Sequence, residues 1–478
     1  MPLDWPLQHH SERANDYPAP VNEVTPAVYT MGKTISEKRV KELRKTFNAD
    51  PSAKLAQNAV SNNELLEVAL DRDLVQEIDF SFSIKLDKWK VTHQKRSGRC
   101  WLFATLNLFR PSTMKKMNVK NFEFSQAHIH FWDKFERANH FYEAIIETAE
   151  RPVDDRTIGF LLGDPIGDGG QWNMAMNLIR KHGLVPKSAY PESQSSSSTR
   201  YMNTNLKDIL RTGACEIREI LDSGGSSAEA RAHKDLRLAD IWRILCIHLG
   251  TPPEKFDWQW EDKDGKLHRR GMMTPQEFAE EFVEIDWEDY VCIVNDPRND
   301  YYQTYTVDYL QNVAGGPPVV YLNVPSDEMK GITQSLLEEG LPVWMGCDVG
   351  KQMHRKRGLW DAKLFDFGAL YGAEFGMNKA DRLRFSQTMM THAMLFTGVD
   401  VVDGKPRRWR VENSWGAEQS GRKGFYTMND SWYDEHMFEI ACPSKYLSDK
   451  MKTGMGTEPV VLPAWDPMGS LAKDEAFQ

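Results

Sequence analysis

Apolar positions along the chain change their rhythm several times. After Thr34-Ile35-Ser36-Glu37, which reads as a capping box, Val40, Leu43 and Phe47 recur at helical spacing, so a helix is expected there. Asn63 to Leu70 reads as a second short helix. From Cys100 to Phe109 the chain is apolar almost all round, the pattern of a buried central helix, and Gly98-Arg99 precede it. Further helices are predicted from Ser125 to His140 and from Gln171 to His182, the latter closed by Gly183. Helical stretches follow at Leu206 to Leu210 and Leu236 to Leu249. Phe256, Trp258 and Trp260 alternate ahead of Asp264-Gly265, which predicts a hairpin. Thr274-Pro275-Gln276-Glu277 opens another helix, with proline at its first position and glutamate closing the box. Towards the end short apolar runs take over: Val319 to Val324, Leu341 to Met345 and Ala393 to Val399 read as strands. Ser326 to Glu339 lies between the first two as a helix ending at Gly340.

At 478 residues the chain exceeds one ordinary core, and no internal repeat is visible. Ser193 to Thr199 is polar and serine-rich and reads as a linker between domains. The net charge of −10 argues against sequence-independent nucleic-acid binding, which needs a basic surface. The six cysteines are scattered without a C-x-x-C pair, so reduced thiols are expected rather than disulfides or a zinc site. His128 and His130 fall on different faces of their predicted helix, and Cys347, Asp348 and His354 lack a metal-ligand spacing, so no metal is expected. The N-terminal residues do not read as a secretory signal, and no run is long enough for a membrane helix, so a cytoplasmic protein is expected.

The chemistry lies elsewhere. Cys100 sits where a loop meets the start of a buried helix, and unpaired amide groups there stabilise a thiolate. Gln94, six residues earlier, can turn its side-chain amide toward a carbonyl under attack and share an oxyanion hole with the Cys100 N–H. His392 begins the Ala393–Val399 strand, Asp403-Gly404 makes the turn, and Arg408 to Asn413 alternates as the returning strand. A hairpin register uncertain by a residue or two, roughly 7 Å, still brings Asn413 to His392. Asn413 can then fix the imidazole tautomer, with Trp415 shielding the bond. Each residue alone has a bland reading: a buried small cysteine, a surface glutamine, a structural histidine. Their conjunction is what points to nucleophilic catalysis.

The order Gln…Cys…His…Asn resembles the papain-like cysteine peptidases. The segment Gln94 to Trp101 is similar to their nucleophile segment, with Arg96-Ser97-Gly98-Arg99 where papain is glycine-rich. Asn413-Ser414-Trp415-Gly416 resembles their asparagine motif, and Gly169-Gly170 the stretch whose backbone pairs with substrate. Met390 to Met394, Trp344 to Gly350 and Pro463 to Gly469 resemble the bleomycin hydrolase and bacterial aminopeptidase C branch. That resemblance implies an α+β, papain-like two-lobed fold, a helical lobe facing a β-barrel-like lobe. It implies an N-terminal arm (1–75), a helical catalytic lobe with Cys100 (76–200), a mainly helical insertion (201–320), a β-rich lobe with His392 and Asn413 (321–455), and a C-terminal arm entering the cleft (456–478).

It also implies catalysis by Cys100, His392, Asn413 and Gln94, substrate binding at Gly169, Gly170, Trp415 and Ala472, no cofactor, peptide substrates and a homohexamer. The matching arm continues past Lys473 through Asp474 to Gln478, where trimming near Ala472 or Lys473 is expected. An acyltransferase using the same Cys–His pair, and a ring-forming scaffold or nucleic-acid binder that has lost catalysis, are the competing readings.

Overall fold

The computed structural model describes residues 33–86, 89–418 and 421–471. One compact unit ends at Asn62 and a second begins at Asn63. Within the first, Glu37–Ala49 and Pro51–Asn62 are helices with no buried residue. The first is capped by Ser36, whose side chain accepts from the Arg39 amide, so the cap lies two residues beyond the expected Thr34. Residues 63–75, expected to belong to the N-terminal arm, are part of the second unit. Their helices Leu65–Ala69 and Arg72–Glu77 put Ala69, Leu74 and Val75 against Leu364 and Phe365, which gives their apolar side chains a core.

In the second unit the helix Cys100–Met117 is central, with every side chain from Cys100 to Arg110 buried. Around it lie Gln126–Glu147, N-capped by Ser125, and Trp172–His182, whose terminal Gly183 adopts φ +64°. The helices Arg200–Asp222 and Ser227–Leu249 pack together and onto Gln126–Glu147.

Among the described residues the main sheet has twelve strands. Its centre is Tyr290–Val294, Met437–Pro443, Val343–Cys347, His392–Val402, Lys405–Glu412 and Phe425–Asn429, in that order and antiparallel throughout. Tyr321–Asn323, Thr304–Val307 and Val460–Leu462 extend one side. The span 201–320 therefore does not end as a helical insertion. The run from Tyr290 to Val294 is apolar and ends fully buried, and it completes the sheet beside Met437–Pro443. The hairpin Phe256–Glu261/Leu267–Met273 and the boxed helix Pro275–Phe282 form as expected, with Phe256 and Trp258 buried.

The serine-rich stretch is no linker. Ser193 and Ser196 close a capping box around the helix Gln194–Ser197, and Ser196 and Thr199 are buried. Polar composition concealed this because several of its hydroxyls have protein partners: Ser196 donates to Glu192, and Thr199 to Asp168.

Candidate active site

Three segments meet. The Cys100 helix packs on the strand that begins with His392, and Cys100 and Ala393 share one apolar cluster. The chain before the helix pairs with the chain after Asn413: the Gln94 amide donates to Ser414 O at 2.8 Å, and the Gly416 amide donates to Thr92 O at 3.0 Å. Gly416 is needed here, because its φ is +78° and a Cβ would meet the His93 ring at 2.7 Å.

The hairpin register follows from alternating apolar residues, with Leu395 opposite Glu412 and Phe396 opposite Val411. It carries Asn413 to His392, and His392 Nε2 lies 2.9 Å from Asn413 Oδ1. The carboxamide oxygen also accepts from the Ser414 amide at 2.7 Å, so an acceptor faces the ring and Nε2 carries the proton. Nδ1 is then the acceptor nitrogen of the neutral ring. Trp415 covers the pair, its ring 5.1 Å from the imidazole and tilted by 33°. Cys100, His392, Asn413 and Gln94 are all 0% exposed and Trp415 is 2%, so the polar contacts act with water largely excluded.

Gln94 is held at both ends. Ser414 Oγ donates to its Oε1 at 2.5 Å, and its Nε2 donates to Ser97 O at 2.7 Å. An amide nitrogen has two hydrogens, so the second remains to be aimed at a developing oxyanion. Ser414 was missed in the sequence. Its signal is adjacency to Asn413 combined with the backbone pairing that only the fold reveals.

Gly170 packs under Trp101, where a Cβ would approach the indole to 2.5 Å, and Trp101 Nε1 donates to Asp168 O at 2.7 Å. Gly169 O accepts from Arg137. The site residue Ala472 lies outside the described residues. Just before it, Ser470 touches two segments near the chemistry: its carbonyl accepts from Gln171 Nε2 at 2.6 Å, and its hydroxyl donates to Met390 O at 2.7 Å. Arg298 pairs with Asp466 at 2.8 Å and Arg156 lies 4.0 Å from the Trp465 ring, which ties this segment down. A cavity of about 370 Å³ opens beside it, with Gly169, Met389, Trp465 and Ser470 among its walls.

Two buried carboxyls flank these elements. Glu412, accepting from Trp89 and Asn107, is pushed up to about 7 by burial, against the pull of Arg110. Burial pushes Glu439 up to about 8. His128 and His130 are buried in the Gln126–Glu147 helix, and burial holds both well below the usual imidazole range. Among the described residues no cluster of three His, Cys, Asp or Glu could hold a metal, and no helix is long and apolar enough to cross a membrane.

Residues 34–469 match the Peptidase C1-like family, and the chain belongs to it. It is a cysteine-type aminopeptidase with a papain-like fold. Human bleomycin hydrolase is 42% identical over 451 residues, covering 92% of this chain and 99% of the relative. Aminopeptidase C of Lactobacillus delbrueckii subsp. lactis is 40% identical over 449 residues, covering 93% and 100%. The crystal structure of PepW from Lactobacillus rhamnosis HN001 superposes with a TM-score of 0.90 at 40% identity, over 92% of this chain and 99% of that one.

Proposed function

We propose that the chain removes residues one at a time from peptides with a free amino terminus, through a Cys-His-Asn mechanism with a thioester intermediate. The observation that carries this reading is the His392–Asn413 bond, buried under Trp415 on a strand packed against the helix that Cys100 begins. Cys100 Sγ attacks the scissile carbonyl, and the Cys100 N–H and Gln94 Nε2 hold the oxyanion. His392 gives its Nδ1 proton to the leaving amine, and the thioester forms as the C–N bond breaks. Water then adds to the thioester as His392 takes its proton, and the C–S bond breaks, which frees the acid product and restores the Cys100 thiolate.

The position of Ser470 between Gln171 and Met390 supports an arm that fills the cleft on one side and limits cleavage to the terminal residue. A carboxylate at the end of such an arm would pair with the substrate's ammonium, a charge-assisted contact worth about 1.5–3 kcal/mol. The chain continues to Gln478, so we assign Cys100 a second task, trimming its own tail near Ala472 or Lys473. The reading extends to a cytoplasmic homohexamer. The exposed stripe Val40, Leu43 and Phe47 supports self-association, and a 55 kDa particle in solution would refute it.

The test compares matched peptides with free and acetylated termini, alongside intact masses of wild type and Cys100→Ala. Stepwise release from the free peptide alone, with tail loss only in the wild type, is expected. Internal cleavage of the acetylated peptide at the same rate refutes the aminopeptidase reading. A full-length wild type that still works stepwise refutes the trimming.

A further inference from the structure

Behind the nucleophile lies a buried ion pair that the mechanism above does not use. Asp168 and Lys134 are fully buried and 2.6 Å apart. Asp168 bonds the chain on both sides of Cys100. Its carboxylate accepts from the Gly98 amide at 3.1 Å, two residues before Cys100. Its carbonyl accepts from Trp101 Nε1, one residue after. Gly169 and Gly170 follow it directly in the chain.

The remaining donors come from the start of the Arg200–Asp222 helix, where Thr199 and Asn203 both bond the same carboxylate. The backbone of residues 197–199 also runs beside Arg96: the Arg96 amide donates to Ser197 O, and the Thr199 amide to Arg96 O. Arg99 adds a bidentate pair with Glu192 at 2.9 and 3.1 Å. The other side is fixed by the Gln126–Glu147 helix, where Lys134 and Arg137, one turn apart, bond Gly167 O and Gly169 O.

Burial alone would raise the Asp168 carboxyl, but the charge and hydrogen bond of Lys134, with the Thr199 hydroxyl bond, hold it well below the usual range. A charged acceptor in a dry site takes the Gly98 N–H more strongly and directionally than a neutral one would.

We propose that Asp168, charge-matched by Lys134, is a positioning residue for the peptidase reaction. It sets the turn that presents Cys100 and the line of the Gly169–Gly170 backbone, and so links the thiol's placement to the substrate's. This rests on the peptidase reading above.

The test uses the full chain with Asp168→Asn, Lys134→Met and the double variant, each measured per titrated thiol. Asp168→Asn should lower kcat by about tenfold or more and raise KM, because thiol and peptide are both displaced by a fraction of an ångström. Lys134→Met, which leaves the carboxylate unmatched, should do the same. The double variant should recover thermal stability, since neither charge is then stranded, but not kcat or KM, because a neutral carboxamide still faces the Gly98 N–H. A merely structural role would lower thermal stability yet leave kcat and KM per thiol near wild type in Asp168→Asn, and that result overturns the proposal.

Alkylation of Cys100 by iodoacetamide needs no peptide. It should slow by about fivefold in Asp168→Asn even if the wild type cleaves no peptide offered, which separates this proposal's failure from that of the peptidase reading. If Asp168→Asn does not accumulate, Asn203→Ala removes one donor and keeps the ion pair. Alkylation slowed by about threefold is then expected, and a wild-type rate refutes the proposal.

Discussion

Asn413→Ala isolates the step on which the reaction's direction depends. Asn413 Oδ1 accepts from His392 Nε2 at 2.9 Å and from the Ser414 amide at 2.7 Å, and both bonds join buried residues. The ring is cationic when the thiol is ionised, so the first bond is charge-assisted and worth about 1.5–3 kcal/mol. At 1.36 kcal/mol per decade, its loss lowers kcat/KM by about 10- to 150-fold. The second bond holds the Gln94 partner, Ser414, and its loss costs stability through an unsatisfied buried amide, about 1–3 kcal/mol. The assay is hydrolysis of an aminoacyl fluorogenic amide, normalised to thiol titrated with an irreversible alkylator. Asn413→Asp keeps an acceptor for both donors and should retain more activity than the alanine variant. A loss of less than about threefold in Asn413→Ala would show that the ring is held by something other than this bond.

Gly170→Ala drives a methyl into the fully buried Trp101 indole, which its bond to Asp168 prevents from moving; a cost of about 1–3 kcal/mol is expected by denaturant unfolding, and an unchanged midpoint would contradict it. Glu439 keeps its proton in the folded protein up to about 8, against 4.5 for an ordinary glutamic acid, so its contribution is complete below about 4.5 and is lost as pH rises towards 8. The melting temperature of Glu439→Gln should therefore gain on wild type across that window, and parallel curves would refute the buried, unmatched carboxyl. Ser414→Ala releases Gln94 Oε1 and should lower kcat more than it raises KM, because the oxyanion contact strengthens only as the carbonyl is attacked; an equal rise in KM would place Gln94 in ground-state binding.

The parts legible in the sequence are those set by local pattern. The buried helix at Cys100, the boxed helix at Pro275, the tryptophan hairpin and the His392–Asn413 hairpin all follow from periodicity and turn residues, and the observed elements match them. Long-range pairing was not legible. Nothing in Tyr290 to Val294 says that it lies beside Met437–Pro443 rather than ending an insertion, since a short apolar run fits either place. Ser193 to Thr199 misled for the opposite reason, because the Thr199 hydroxyl serves the buried Asp168 carboxylate, distant in sequence, and the Ser196 hydroxyl serves the neighbouring, half-buried Glu192. In the site, Gln94 and Asn413 were readable as chemical types. The Ser414 hydroxyl that holds Gln94, and the Asp168 carboxylate under Gly98, become visible only once residues 92–94 and 414–416 are seen paired and the Gly167–Gly170 turn is seen beneath the nucleophile.

The central claim is that Cys100 carries a single residue of substrate as a thioester. Rapid mixing with a peptide bearing a free amino terminus, an acid quench within one turnover, and mass spectrometry of the proteolysed enzyme would measure it directly. A mass increase on the Cys100 peptide equal to one N-terminal aminoacyl group, absent in Cys100→Ala, is expected. An adduct on another residue, an adduct of several residues, or turnover without any adduct in a variant slowed at deacylation would contradict it.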